Sequence, residues 1–491
     1  MKPQNLLYII SDEHTPSVLG CYGNSVVQTP NLDRLAASGT RFTNAYTPCP
    51  MCVPTRASLA TGQYVHQLRT WGSTQPYDGY HAGLGHQSWG HRLRDVGHRV
   101  TSIGKLHFRE LHERNGFSEE ILPMHIVNGV GWVKGLLRDK LPSYAREARE
   151  YAEQIGPGES SYTDYDRRIT RAAKRWLEER ADENTEKPWV LFLSFVCPHY
   201  PLYAPEEFYA LYDPKIHPNL IEPPYAYAPD QRPTHPFMQE FYNFYHYDPY
   251  FTDQTIAIAR ASYYALCTFL DDNIGQVLKT LQECGLAEET RVIYTSDHGD
   301  MLGNHGQWTK MSMYEDSVGI PFIMSGEGIP SGVVIDTPIS LVDSYPTIVA
   351  SVGETLNRHD QQLPGDSLFD IIQQPHVDRV VFSEIHDGLS NGFYMIRMGD
   401  WKYVYYIGHP PQLFNMVDDP RELSDLGQDP DHAHICQLCE SELRNIIDPE
   451  AANAQAHADQ AQRLAELGGV ETVLTLPDTD FGFTPLPKEE Q

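Results

Sequence analysis

Four short apolar runs, each ending abruptly in ionisable residues, constrain the fold of this chain most strongly. Asn5-Leu-Leu-Tyr-Ile-Ile10 runs into Ser11-Asp12-Glu13-His14, and Arg99-Val-Thr-Ser-Ile103 into Gly104-Lys105-Leu106-His107. Trp189-Val-Leu-Phe-Leu-Ser-Phe195 runs into Cys197-Pro198-His199, and Arg291-Val-Ile-Tyr-Thr295 into Ser296-Asp297-His298-Gly299-Asp300. Near-continuous apolar runs of this length read as buried strands of a parallel sheet. Ionisable residues at their carboxyl ends read as a site, because α/β proteins build sites at that edge. Helical segments alternate with the strands: Thr29-Pro-Asn-Leu-Asp33 leads into Arg34 to Ser38 and stops at Gly39, and Trp89 to Val96 stops at Gly97. The fold class is therefore α/β, a large, mixed, mostly parallel sheet flanked by helices.

From about residue 200 to 264 the composition turns to Tyr, Pro and His, including Phe241-Tyr-Asn-Phe-Tyr-His-Tyr247, and reads as a long insertion. A helix from Leu341 to Val352, ended by Gly353, precedes Arg379 to Ile385 and Tyr394 to Tyr406, which resemble strands of a smaller antiparallel unit. The expected division is a catalytic α/β domain over 1–375, an antiparallel-sheet subdomain over 376–440, and a helix with an extended tail over 441–491 that serves as an oligomer contact. A homo-oligomer is expected.

With 37 basic and 66 acidic residues the formal charge is −29, which repels phosphate backbones and anionic membrane surfaces. Neither nucleic acid nor membrane is expected as a partner. An anionic substrate would need a local positive cluster or a metal at the site. Eight cysteines are too sparse for a disulfide-stapled secreted domain. No signal peptide or spanning segment is read from the sequence, so a cytoplasmic location is expected.

Cys52-Val-Pro-Thr-Arg-Ala-Ser-Leu-Ala-Thr-Gly62 places a thiol at a helix start, with Pro54 near the first turn and Arg56 one turn on. Helix N-termini attract anions, so a thiol there beside Arg56 is expected to have a lowered pKa and to act as a nucleophile. The alternative is a buried structural cysteine. Asp12, Asp297 and His298 end two predicted strands, and oxygen donors with one imidazole suit a single divalent cation, Ca²⁺ first, with Mn²⁺ or Mg²⁺ as alternatives. Cys49-Pro-Met-Cys52 has the C-x-x-C spacing of a redox pair, a reading that leaves Pro54 to Gly62 without a role. His432, His434, Cys436 and Cys439 have the ligand density of a zinc site.

Taken together, the motifs resemble the type I, formylglycine-dependent sulfatase family of the alkaline phosphatase superfamily. Cys52-x-Pro-Thr-Arg56 with Leu59-x-Thr-Gly62 is similar to its signature, with Thr55 where Ser is usual. Ser11-Asp12, Thr29-Pro-Asn-Leu-Asp33, Gly104-Lys105-x-His107, Pro198-His199-x-Pro201 and Ser296 to Gly303 with Lys310 follow in the family's order. Trp401-Lys402-Tyr403 and Leu413-Phe-Asn-x-x-Asp-Asp-Pro420 look like its C-terminal sheet.

The resemblance implies an alkaline-phosphatase-like fold and metal-dependent hydrolysis of sulfate monoesters, aryl or small alkyl, to alcohol and sulfate. It implies that a formylglycine-generating enzyme converts Cys52 to formylglycine, whose hydrate attacks sulfur to give a covalent sulfo-enzyme and expels sulfate as the aldehyde re-forms. The metal ligands it implies are Asp12, Glu13, residue 52, Asp297 and His298, with Glu13 standing where many relatives have a second Asp. Arg56 and Lys105 match the cations that hold the diol and neutralise charge on the transferring group, His107 the base that takes the diol proton, and His199 with Lys310 the pair that grips sulfate and protonates or stabilises the leaving oxygen.

A phosphonate monoester or phosphodiester hydrolase of the same superfamily is the runner-up, disfavoured because those relatives tend to carry neutral hydroxylic residues where Lys105 and His107 stand. An inactive binder of sulfated ligands would be expected to have lost Cys52, Arg56 or a metal ligand, and none is missing. The Tyr-rich insertion is expected to wall the alcohol pocket, stacking on an aryl group or caging a quaternary ammonium. Gly104-Lys-Leu-His-Phe108 and Trp308-Thr-Lys310-Met-Ser312 are similar to choline sulfatases in this respect.

Overall fold

The computed structural model describes all residues except 1, 76, 78–86, 111–114, 141–144, 182, 184–185, 477–483, 485 and 487–491. Its main sheet has eight strands: β1 Asn5–Asp12, β2 Gly39–Phe42, β3 Val100–Lys105, β4 Glu119–Met124, β5 Val190–Pro198, β6 Thr290–Ser296, β7 Phe322–Ser325 and β8 Val333–Ile335. They lie in the order β8-β2-β7-β6-β1-β5-β3-β4. Strand β1 is central and parallel to both neighbours, with Leu6 to Ile10 opposite Val190 to Ser194 on one side and Arg291 to Thr295 on the other. The sheet is mixed because β7 runs antiparallel to β6 and β2.

Strand β1 is apolar on both faces because each face meets a different layer. Leu7 and Ile9 join the core that includes Ile169, Phe269 and Ile274, whereas Leu6, Tyr8 and Ile10 join the one that includes Ala57, Leu59 and Ile348. Helix α1 Cys52–Thr61 and helix α4 Ser344–Ser351 supply the second layer; α2 Ser161–Arg180 and α3 Asp253–Glu283 supply the first. Helix α3 begins inside the expected insertion. Thr252 caps it, and Tyr263 and Tyr264 are buried along it, so the aromatic composition of that stretch conceals a helix that packs against α2.

Four antiparallel strands, β9 Val381–Ile385, β10 Phe393–Met398, β11 Trp401–Tyr406 and β12 Gln412–Asn415, form the smaller sheet. Helix α5 Ala433–Ile446 packs on β10 and β11, crossing residue 440 where a division was expected, and α6 Pro449–Glu466 follows. The extended tail expected after these helices lies largely outside the described residues. Glu384 on β9 ties the small sheet to the chain on either side of α1. Its N–H donates to Pro48 O at 3.0 Å, and its Oε1 accepts from the N–H of His66 at 2.9 Å. No helix among the described residues is long and apolar enough to cross a membrane.

Candidate active site

The carboxyl ends of β1, β3, β5 and β6 converge, and each delivers the residues the sequence placed there. Asp12 and Glu13 leave β1, Lys105 and His107 leave β3, His199 leaves β5, and Asp297 and His298 leave β6. Cys52 is the first residue of α1, which places Arg56 one turn further along the same helix. Lys310 arrives on the loop after Asp300, whose Oδ1 accepts from the N–H groups of Leu302 and Thr309 and so shapes that loop.

The guanidinium of Arg56 ties the two principal carboxylates together. Its Nε donates to Asp297 Oδ2 at 2.9 Å and its Nη2 to Asp12 Oδ2 at 3.0 Å, while Nη1 donates to Lys105 O and Ser194 Oγ. Lys105 Nζ lies 2.6 Å from Asp12 Oδ2. Cys52 Sγ sits 3.1 Å from His298 Nε2 and 3.6 Å from Asp12 Oδ1. On the opposite side Lys310 Nζ is 2.8 Å from His199 Nε2 and 3.3 Å from Glu13 Oε2.

Ligand atoms of Asp12, Cys52, Asp297 and His298, all buried, lie within 4.8 Å of one another. Two carboxylates, an imidazole and the residue-52 side chain are a donor set that fits a divalent cation. Glu13 lies outside that group and closes a second one with Asp12 and His199; its Oε1 is buried without a partner. Among the described residues these are the only two such groups. His432, His434, Cys436 and Cys439 form none: His432 Nδ1 pairs with Asp429, and Cys439 is buried in the apolar core beneath the small sheet.

Burial dominates the titration of the site. It raises the Asp12 pKa, but Lys105, His199, Arg56 and His298 outweigh it and hold the carboxyl well below its usual range. Burial pushes Glu13 up to about 8 despite Lys310. His107 and His199 are held neutral, by burial and then by Lys105 and Lys310 respectively. The lowered thiol pKa expected at Cys52 does not occur. Burial, reinforced by Asp12, pushes it up to about 12, outweighing the opposing pull of Lys310 and Lys105. Cys49 and Cys52 are both free thiols, and Cys49 O accepts from the hydroxyls of Thr47 and Thr55.

Three further residues support the site. Ser194 Oγ completes the Arg56 shell. Asp166 on α2 accepts the N–H groups of Val196 and Cys197 at 2.9 Å each, fixing the end of β5 that presents His199. Thr484 contacts His107. None has a sequence signal, since a lone polar residue far along the chain shows no motif. Of the Tyr-rich stretch, Tyr200 stacks on Tyr151 at 4.8 Å, and Tyr263 donates to Glu13 O and accepts from Thr15 N–H.

A family model described as Sulfatase matches residues 4–354. The chain belongs to the sulfatase family. This sulfatase is 30% identical over 486 residues to arylsulfatase K of Danio rerio, covering 94% of this chain and 87% of that protein. It is 28% identical to the choline-sulfatase of Rhizobium meliloti (strain 1021), covering 94% and 90%. Among solved structures, a phosphonate monoester hydrolase of Agrobacterium radiobacter superposes with a TM-score of 0.71 at 23% identity, over 92% of this chain and 96% of that one. A 2-O GAG sulfatase superposes with a TM-score of 0.70 at 19% identity, over 99% of each chain. These likenesses establish the alkaline-phosphatase-like fold, and the family makes the chain a sulfuric ester hydrolase.

Proposed function

We propose that this sulfatase hydrolyses small sulfate monoesters, aryl or alkyl, at the centre built on Cys52, with residue 52 acting as formylglycine and one divalent cation held by Asp12, Asp297, His298 and residue 52. The convergence of those four side chains within 4.8 Å carries the proposal. A bound cation, with Ca²⁺ the first candidate and Mn²⁺ or Mg²⁺ next, would draw the ester's oxygens and make residue 52 a better nucleophile. Formylglycine, made from Cys52 by a formylglycine-generating enzyme, would supply a hydrated aldehyde with one hydroxyl to attack sulfur and another to expel sulfate. A thiol held at about 12 is a poor nucleophile, so an oxygen nucleophile at position 52 agrees with this setting.

Placement supports the remaining roles. With Glu13 protonated by its burial, the formal charges of Asp12 and Asp297 fall one short of those of Arg56, Lys105 and Lys310, so the centre is locally positive within a chain of charge −29 even before a divalent cation would add to it. Arg56 holds the two carboxylates in a fixed relation, and Lys105 faces the charge that develops on the transferring group. Neutral His107 is able to accept a proton from residue 52. Lys310, 2.8 Å from His199, holds that imidazole beside the leaving oxygen, where the pair stabilises the departing alcohol.

The test is turnover of an aryl sulfate and an aryl phosphonate monoester by the same sample. Sulfate turnover that disappears in Cys52→Ala is expected. Faster phosphonate turnover would transfer the assignment to the runner-up, in spite of Lys105 and His107.

A further inference from the structure

A cavity of about 370 Å³ is lined by the 212–231 stretch and the first two turns of α3, and no residue of the reaction centre lines it. Its walls are largely apolar, built from Leu220, Ile221, Pro224, Tyr227, Ile256 and Ala257. Leu220 keeps 39% of its surface exposed, so this apolar space is open to solvent. Among the described residues the only Lys or Arg that lines it is Arg260, which follows Ile256 and Ala257 one turn on along the same face of α3.

Arg260 is buried, with 8% of its surface exposed, yet it is poorly satisfied. Its Nη1 donates to Leu302 O at 2.6 Å, and its Nε is buried without a partner. Among the described residues no carboxylate forms an ion pair with it. Other buried arginines of this chain differ. Arg56 meets two carboxylates, and Arg291 spends Nε, Nη1 and Nη2 on three backbone carbonyls. A buried cation with neither kind of partner is costly, and an anion delivered to it from solvent recovers part of that cost.

The surroundings narrow the anion. A guanidinium presents two parallel N–H bonds that match a carboxylate. Exposed Glu222 and Asp253 also line the cavity, in a chain of charge −29, and they oppose a dianion more than a monoanion. The apolar walls favour a hydrocarbon body, and the volume is that of a small-molecule site. We propose that this cavity binds a small carboxylate with an apolar body, its carboxylate on Arg260 and its body against Ile221, Pro224 and Ile256. The site is separate from the reaction centre and does not rest on the sulfatase reading.

Titration calorimetry of the full chain with sodium octanoate and with 1-octanol tests this. Octanoate is expected to bind one to one and at least about tenfold more tightly than octanol, the scale of a hydrogen bond to a charged group. Arg260→Gln should weaken octanoate by a similar factor. Because that variant also loses the bond to Leu302 O, a second one is needed: Ala257→Phe fills the cavity and leaves Arg260 in place. Octanoate affinity should fall at least about tenfold there too, in a protein that keeps the native circular dichroism. No binding by the native chain, or equal affinity for octanol, would overturn the site. So would undiminished affinity in Ala257→Phe, the result expected if octanoate were held at the reaction centre instead.

Discussion

Arg56 is the residue on which the geometry depends, because its planar fork satisfies Asp12 and Asp297 at once. A lysine in its place offers one point charge and cannot bridge two carboxylates. Arg56→Lys is expected to lower kcat/KM by roughly a hundredfold or more, measured with an aryl sulfate at saturating metal; a loss below about threefold would contradict the bridging role. The His199 and Lys310 pair makes a different prediction. If it stabilises the leaving oxygen, His199→Gln should slow an alkyl sulfate by about a hundredfold and slow a nitrophenyl sulfate, whose alcohol departs readily, much less. Equal losses for both esters would remove the pair from leaving-group chemistry.

At the scale of elements, the site is held by two buried carboxylates that take no part in it. Asp166 holds the end of β5, so Asp166→Ala is expected to lower kcat about tenfold through a misplaced His199, the scale of one mispositioned group; an unaltered kcat would show that β5 ends correctly without it. Glu384 joins β9 to His66, and its Oε2 meets His386 Nε2 at 2.8 Å. Burial opposes its ionisation, but His66 and His386 outweigh burial and hold the carboxyl down at about 2, against 4.5 when unfolded. A carboxyl depressed on folding stabilises the protein fully above its unfolded value and loses that contribution, about 3 kcal/mol, as pH falls through the folded one. Glu384→Gln should therefore flatten the fall in Tm between about pH 5 and pH 2, and an unchanged slope would contradict it. The four strands that carry the site were legible in the sequence because each is buried on both faces and stops at charged residues. Strands β2, β7 and β8 were not, since runs of three or four residues carry no periodicity. Helix α3 was hidden by its tyrosines, and the pKa of Cys52 could not be read from its helix position because burial, a tertiary effect, decides it.

Across the whole molecule, a net charge of −29 opposes the approach of an anionic ester. Raising ionic strength from about 10 to 150 mM shortens the screening length to about 8 Å, so kcat/KM should rise severalfold at saturating metal; a fall would mean that a local positive potential governs the approach. Metal removal links the site to the fold, because a cation bound only by the native state stabilises it. A chelator is expected to lower Tm and abolish sulfate turnover, with Ca²⁺ restoring both. The sequence motifs named residues that the folded chain brings together, Asp12, Cys52, Asp297 and His298 among them, but nothing in them pointed to Thr484, which reaches His107 only through the path of the folded chain. The most direct test of the central claim is the mass of the peptide containing residue 52, taken from the same preparation that turns over an aryl sulfate. The expected result is the mass of an aldehyde in place of the thiol, in proportion to activity. An unmodified Cys52 in a fully active enzyme would contradict it.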